Sequence, residues 1–116
     1  MAIRLCMTLK NTFNVYTTTP NVDDLRDFIN TALTALAEHA SGMRSIEDAA
    51  LKISAAGISV GLSESEQYPD LRRIVELAFD LEVPGDAYQG DYDGTPEQDW
   101  QRLVAMVNQA AKKLLT

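Results

Sequence analysis

The chain has 116 residues, of which 46% are hydrophobic and 23% are charged, and its net charge is −7. This size and composition predict a single globular domain over residues 1–116 and exclude a disordered chain. The acidity, with a sequence pI near 4.5, argues against nucleic acid and anionic membranes as partners, because both are bound through clustered Lys and Arg.

The negative charge is concentrated in one stretch. Residues 64–99 contain eleven Asp and Glu residues and only two basic residues, Arg72 and Arg73. The rest of the chain has a net charge of +2. Such an asymmetry bears on the choice of partner and not on the fold, and it favours a basic protein surface.

The single cysteine, Cys6, excludes an intramolecular disulfide and favours a reducing compartment. The longest apolar run near the N-terminus, residues 5–7, is too short for a secretion signal or a membrane span. We therefore expect a cytoplasmic protein.

The N-terminal segment predicts a β-hairpin. Ile3, Leu5, Met7 and Leu9 alternate with less apolar residues, which is typical of a half-buried strand. After a turn at Lys10 and Asn11, residues 12–18 are rich in β-branched and aromatic side chains and predict the second strand.

A first helix is predicted to begin after Pro20, with Asn21 as its N-cap, and to end near Ala40 before Gly42. Its acidic first turns suit the helix dipole. Its apolar residues recur every three to four positions: Val22, Leu25, Phe28, Ile29, Ala32, Leu33 and Leu36.

Ser45 is the predicted N-cap of a second helix, which we expect to end at Gly57. Ile58, Val60 and Leu62 then alternate with small residues. This pattern has two interpretations, a short third strand and a continuation of the helix.

Pro69 suits the first turn of a third helix. Its predicted inner face consists of Leu71, Ile74, Val75, Ala78 and Phe79. Residues 85–94 lose the apolar periodicity and predict an exposed loop. The last helix is predicted to begin at Pro96, with Thr95 and Gln98 forming a capping box.

Together these elements predict an α+β fold, in which an N-terminal β-hairpin, with the short third strand in one interpretation, packs with about four helices. The alternative is a mostly α bundle with an irregular N-terminal arm.

No catalytic residues are predicted, and we expect the protein not to be an enzyme and to need no cofactor. His39 is the only histidine, and its place near the end of the first helix suits a capping role. Cys6 would need His39 as its base, and a buried, inert cysteine is the simpler interpretation.

The segment from Asp91 to Gly94 resembles part of an EF-hand calcium loop, but the register fails. If Gly94 takes the sixth position, Trp100 falls where a bidentate Glu is required. We expect a solvated acidic loop and no metal site. A calcium-responsive module is kept as a minor alternative.

The best functional clue is the pair of tyrosines in the acidic loop. Tyrosine is enriched at protein interfaces, and nearby carboxylates would suit an Arg-containing partner. The rings could equally fold back on the core beside Trp100. The predicted partner-binding residues are Asp86, Tyr88, Asp91, Tyr92 and Asp93 in the loop, with Glu64 and Glu66 before it.

We therefore predict a small acidic protein-interaction module of the inhibitor, immunity or nucleic-acid-mimic type, which binds a basic protein through its second half. The alternative is a structural subunit that forms a homodimer and binds no ligand.

Overall fold

The computed structural model describes residues 20–82 and 95–115. One turn of 3₁₀ helix and four α-helices account for 81% of these residues, and no strand occurs among them. The α-helices are Val22–Ala40 (α1), Ile46–Ser59 (α2), Pro69–Leu81 (α3) and Pro96–Leu114 (α4), and the 3₁₀ turn is Leu62–Glu64.

The predicted α+β fold is therefore wrong, and the described residues follow the alternative, a mostly α bundle. The third strand does not form, because α2 continues through Ser59 and the 3₁₀ turn begins at Leu62. The predicted β-hairpin, residues 3–18, lies outside the described residues.

The end of α2 also differs from the prediction. Gly57 lies inside the helix, two residues before its end at Ser59. The chain reverses at Gly61 instead, whose φ of 83° is in the left-handed region that favours glycine. The same conformation at Gly42, also with a φ of 83°, confirms the predicted stop after α1.

The predicted helix starts are confirmed. The side chains of Asn21, Ser45 and Thr95 each accept a hydrogen bond from the backbone N–H three residues later. Asn21 and Thr95 form complete capping boxes with Asp24 and Gln98. These side chains stabilise three helix starts locally, without help from distant residues.

Each helix packs against the next in the chain, and α4 packs back against α1. In this last pair opposite ends meet. Arg26 near the start of α1 donates from Nε to the Leu114 carbonyl at 3.0 Å, and the His39 ring at the end of α1 lies 4.9 Å from the Trp100 ring near the start of α4. The two helices are therefore antiparallel.

The pair α2 and α3 is antiparallel as well. Gly57, near the end of α2, lies against Val75 in the middle of α3. Ser54, one turn earlier, reaches the residue after α3, with its hydroxyl 2.6 Å from Glu82 Oε1. Asp70 at the start of α3 also lies near Lys113 at the end of α4, so these helices are antiparallel too and the described helices form an up-down-up-down bundle.

This order gives the bundle two ends. α1 and α3 begin at the first end, where α2 and α4 finish, and Asp70 and Lys113 accordingly lie 3.7 Å apart there. The turn at residues 41–45, Glu82 and Thr95 lie at the second end.

The core is formed by apolar side chains of all four helices together with Leu62. Its largest fully buried members are Phe28, Leu25, Ile29, Ile53, Leu62, Ile74, Leu77, Leu81, Leu103, Val75 and Val107. Phe79, predicted to face inward, is 49% exposed. It lies about 100° around the helix from the buried Ala78, beyond the stripe that faces the core.

Candidate functional site

Glu64 and Glu66 are the two predicted partner-binding residues that the structure describes, and both are exposed. Between them Ser65 is buried, and its hydroxyl accepts a hydrogen bond from the Gln67 N–H at 3.3 Å. Leu62, at the start of the same turn, is fully buried. The segment is therefore anchored from within, while its two carboxylates face solvent.

The other predicted partner-binding residues lie outside the described residues: Asp86, Tyr88, Asp91, Tyr92 and Asp93. The chain leaves the described part at Glu82 and re-enters it at Thr95, both at the second end of the bundle. Glu64 and Glu66 precede α3 at the first end. Since α3 has 13 residues, roughly 20 Å separates its two termini.

The bundle brings further carboxylates to the end that holds Glu64 and Glu66, because α1 also begins there. We call this group the acidic end: Asp23, Asp24, Asp27, Glu64, Glu66 and Asp70. Asp70 forms an ion pair with Lys113 at 3.7 Å, and both side chains are more than half exposed. Basic residues lie at the same end: Arg26 of α1, Arg72 and Arg73 of α3, and Lys112 and Lys113 of α4.

The carboxylates of α1 in this group are missing from the sequence-based prediction, which connects them only with the helix dipole. Asp24 does serve the helix start, since its Oδ2 accepts from the Asn21 N–H at 3.3 Å. Asp23 and Asp27 are exposed and turn to solvent. About forty residues of sequence separate them from Glu64, so only the antiparallel packing of α1 and α2 indicates that they share an end.

A groove with a volume of about 460 Å³ runs between the start of α3 and the end of α4. Apolar residues from both helices line it, including Leu71, Met106 and Ala110. Arg73 and Lys113 add positive charge to the lining. This volume is within the usual range of small-molecule sites, but the mixed lining does not select one ligand chemistry.

A buried carboxylate lies at the second end, in the first turns of α4. Asp99 is fully buried, and its Oδ1 accepts a 2.6 Å hydrogen bond from Arg102. Its Oδ2 has no hydrogen-bond partner among residues 20–82 and 95–115. Next to it in the chain, the buried Trp100 ring makes an edge contact with His39.

His39 is held by a hydrogen bond at the end of α1. Its Nδ1 lies 2.9 Å from the carbonyl oxygen of Arg44, so Nδ1 carries the proton. With its Trp100 contact, His39 ties the turn after α1 to the start of α4. Cys6, the candidate nucleophile for which His39 would be the base, lies outside the described residues.

The pKa of Glu38 is clearly shifted in the folded protein. Its Oε1 accepts a 2.5 Å hydrogen bond from Arg44 Nε and lies 3.7 Å from Lys52 Nζ. The hydrogen bond from Arg44 lowers the Glu38 pKa below its ordinary value, with smaller contributions from the positive charges of Arg44 and Lys52. Partial desolvation opposes the shift without cancelling it. By contacting both cations, Glu38 connects the end of α1 to the following turn and to α2.

Among the described residues, no three His, Cys, Asp or Glu side chains are placed to hold a metal ion together. The carboxylates considered for calcium, from Asp86 to Asp93, are not among those residues. None of the described helices combines the length and the apolar character that crossing a membrane requires.

Comparison with known proteins returns no relative: no family model, no curated protein and no solved structure matches the chain. Function is therefore inferred from the charges, contacts and exposure of this chain's own residues.

Proposed function

We propose that this chain is a small acidic protein-interaction module of the cytoplasm that binds a basic surface on another protein and catalyses no reaction. The observation that carries the proposal is the charge distribution: the net charge is −7, and residues 64–99 hold eleven acidic residues, of which Glu64 and Glu66 are exposed.

The mechanism would begin with electrostatic steering. A net charge of −7, with eleven acidic residues in the stretch 64–99, attracts a basic surface over about a Debye length before contact. Steering of this kind raises the association rate more than the affinity.

The acidic loop is the second part of the proposal. Tyr88 and Tyr92 would anchor the partner after the encounter, with Asp86, Asp91 and Asp93 facing its basic groups. The sequence carries this part of the proposal, since these residues lie outside the described ones.

The test is the salt dependence of the association rate. A partner is first captured on the immobilised protein at low ionic strength, eluted with a salt gradient and purified. Its association rate is then measured by stopped flow at about 50 mM and about 500 mM salt. We expect the rate to fall roughly tenfold or more at the higher salt, because mobile ions screen the steering field.

Three multiple mutants assign the effect to a surface. Glu64→Gln with Glu66→Gln should slow association at low salt, whereas Glu64→Asp with Glu66→Asp keeps the charge and should leave the rate unchanged. Asp86→Asn, Asp91→Asn and Asp93→Asn together test the loop in the same way. An association rate that is equal at both salt concentrations would overturn the proposed function.

A further inference from the structure

Three large apolar side chains are exposed on two neighbouring helices. Leu51 and Ile58 of α2 are 51% and 45% exposed, and Phe79 of α3 is 49% exposed. We call these three residues the apolar face. Large apolar side chains that are half exposed at adjoining positions mark an interaction surface more often than isolated ones do.

The contacts between α2 and α3 place the apolar face along one seam. Leu51 and Ile58 are seven residues apart and flank Ser54, whose hydroxyl lies 2.6 Å from Glu82 Oε1 across the seam. Phe79 is one turn before Glu82 on α3. Because residues three or four apart share a helix face, all three apolar side chains border this junction.

The two helices approach closely beside it. A Cβ atom on Gly57 would lie 2.2 Å from Val75 Cγ2, so only a glycine permits the observed spacing. Phe79 follows Val75 by four residues, and Ile58 follows Gly57 directly. The seam is thus narrow, and the apolar face is a shallow surface on it rather than a deep pocket.

The helical neighbours of the apolar face are acidic. Positions three and four residues from its members hold four carboxylates and no Lys or Arg: Glu47, Asp48, Glu76 and Glu82. Glu76 is partly neutralised by Arg72 and Arg73, at 3.2 and 3.7 Å. The face therefore combines an apolar centre with a negative rim.

These properties select the occupant. Three half-exposed side chains offer roughly 300 Å², well below the ~800 Å² per subunit of a stable interface, and a second copy would bring its own acidic rim against this one. The spacing of Leu51 and Ile58, with Phe79 across the seam, matches the apolar residues at i, i+3 or i+4, and i+7 through which an amphipathic helix docks. Lys and Arg beside those residues would complement the rim.

We propose that the apolar face is the docking site for a basic amphipathic helix of the partner. The inference rests on the proposed function, in which the partner is a basic protein, and it names the structural form that the partner presents. Leu51, Ile58 and Phe79 supply the anchoring contacts, and the carboxylates around them orient the helix.

The test uses a synthetic 18-residue peptide that can form an amphipathic helix. Leucines at i, i+3, i+4 and i+7 form its apolar stripe, and lysines lie on both sides of that stripe. It is titrated into the full-length protein and followed by ¹H–¹⁵N NMR. We expect the largest shifts at Leu51, Ala55, Ile58 and Phe79. Phe79→Ala should weaken binding about tenfold or more, as loss of an aromatic anchor does.

The matched control is Met43→Ala, because Met43 is 74% exposed and lies in the turn after α1, away from the apolar face. It should bind the peptide like the natural chain. A peptide of the same composition in scrambled order, and one with glutamate in place of lysine, should both bind at least tenfold more weakly. Helix content and melting temperature of each variant are checked first.

Several results would overturn the inference: shifts confined to another surface, equal binding by Phe79→Ala, equal binding of the glutamate peptide, or shifts on this face upon concentrating the protein alone. The last would identify a second copy as the occupant. A basic partner that associates in a salt-dependent manner yet binds Phe79→Ala normally would refute this inference and support the proposed function.

Discussion

At Gly57 a single missing side chain sets the distance between two helices. A methyl group at this position would lie 2.2 Å from Val75 Cγ2 and 3.2 Å from Phe28 Cε1, both buried core residues. Glycine inside a helix is unfavourable by about 1 kcal/mol relative to alanine. The close packing explains why the sequence-based stop at this position is wrong: the glycine serves the α2–α3 contact.

We expect Gly57→Ala to destabilise the protein, because overpacking a core costs about 1–3 kcal/mol and exceeds the gain in helix propensity. Urea unfolding measures the change. Val75→Ala is the matched second mutation, since it removes the clashing Cγ2 atom. The loss in the double mutant should be smaller than the sum of the two single losses, and strict additivity would contradict the packing argument.

Glu38 makes a pH-dependent contribution to stability. Its pKa is lowered in the folded protein, chiefly by the Arg44 hydrogen bond, so the folded state favours the ionised carboxylate. A lowered pKa stabilises the fold at pH values above the unfolded-state pKa, and this contribution is lost as the pH falls through the folded-state pKa.

We therefore expect Glu38→Gln to be less stable than the natural chain near neutral pH, and the difference to shrink as the pH falls from about 4.5 downward. Urea midpoints measured across the acid range test this. Arg44→Gln should raise the Glu38 pKa in an NMR titration. A stability difference between Glu38→Gln and the natural chain that stays constant with pH would contradict the assignment.

At the scale of single elements, the helix starts show that a few neighbouring residues determine where a helix begins. Thr95 accepts from the Gln98 N–H at 3.2 Å, and Gln98 Oε1 accepts from the Thr95 N–H at 3.0 Å. Every residue in this motif lies within four positions of the others. The start of α4 is therefore accessible to sequence reasoning, as are those at Asn21 and Ser45.

Thr95→Ala should lower the free energy of unfolding by about 1 kcal/mol, because a backbone N–H of α4 loses its hydrogen-bond acceptor. Thr95→Ser retains the hydroxyl and should be close to the natural chain. Thermal or urea unfolding followed by circular dichroism distinguishes them. Equal losses in the alanine and serine variants would show that the methyl group, and not the cap, matters.

Helix ends are less local than helix starts. α2 continues past Gly57 because that residue packs on α3, and the chain turns at Gly61, where the backbone adopts a left-handed conformation. Ile58, Val60 and Leu62 alternate like a strand, yet the first belongs to α2 and the last begins the 3₁₀ turn. A pattern of five residues that includes a glycine is too short for periodicity to distinguish a strand from the end of a helix.

At the scale of the whole molecule, Trp100 reports on the closure of the bundle. It is the only tryptophan of the chain, it is 3% exposed, and it contacts His39 between α1 and α4. Circular dichroism at 222 nm reports on all the helices together. The two signals therefore follow different parts of one structure.

We expect the two signals to show the same urea midpoint, because the described helices share one core and a single-domain chain of this size usually unfolds cooperatively. A separate tryptophan transition would mean that α1 and α4 part before the helices melt. That outcome would also contradict the prediction of a single domain over residues 1–116.

The candidate site depends on both levels of information. The excess of acidic residues is visible in the sequence, and Glu64 and Glu66 are exposed, as a binding role requires. That Asp23 and Asp27 lie at the same end as Glu64 and Glu66 is not visible in the sequence, because it arises from the packing of helices distant in sequence. The prediction that Phe79 faces the core is wrong. Periodicity shows that an apolar residue lies close to the core-facing stripe of a helix, but not where that stripe ends.

The charge composition can be read directly from the sequence. The four helices and three of their N-caps can be predicted from it as well, because they depend on interactions within about one helical turn. Packing was needed for the all-α fold of the described residues, the passage of α2 through Gly57 and the exposure of Leu51, Ile58 and Phe79. Each of these depends on how much space a neighbouring helix leaves, and that distance is a property of the assembled core.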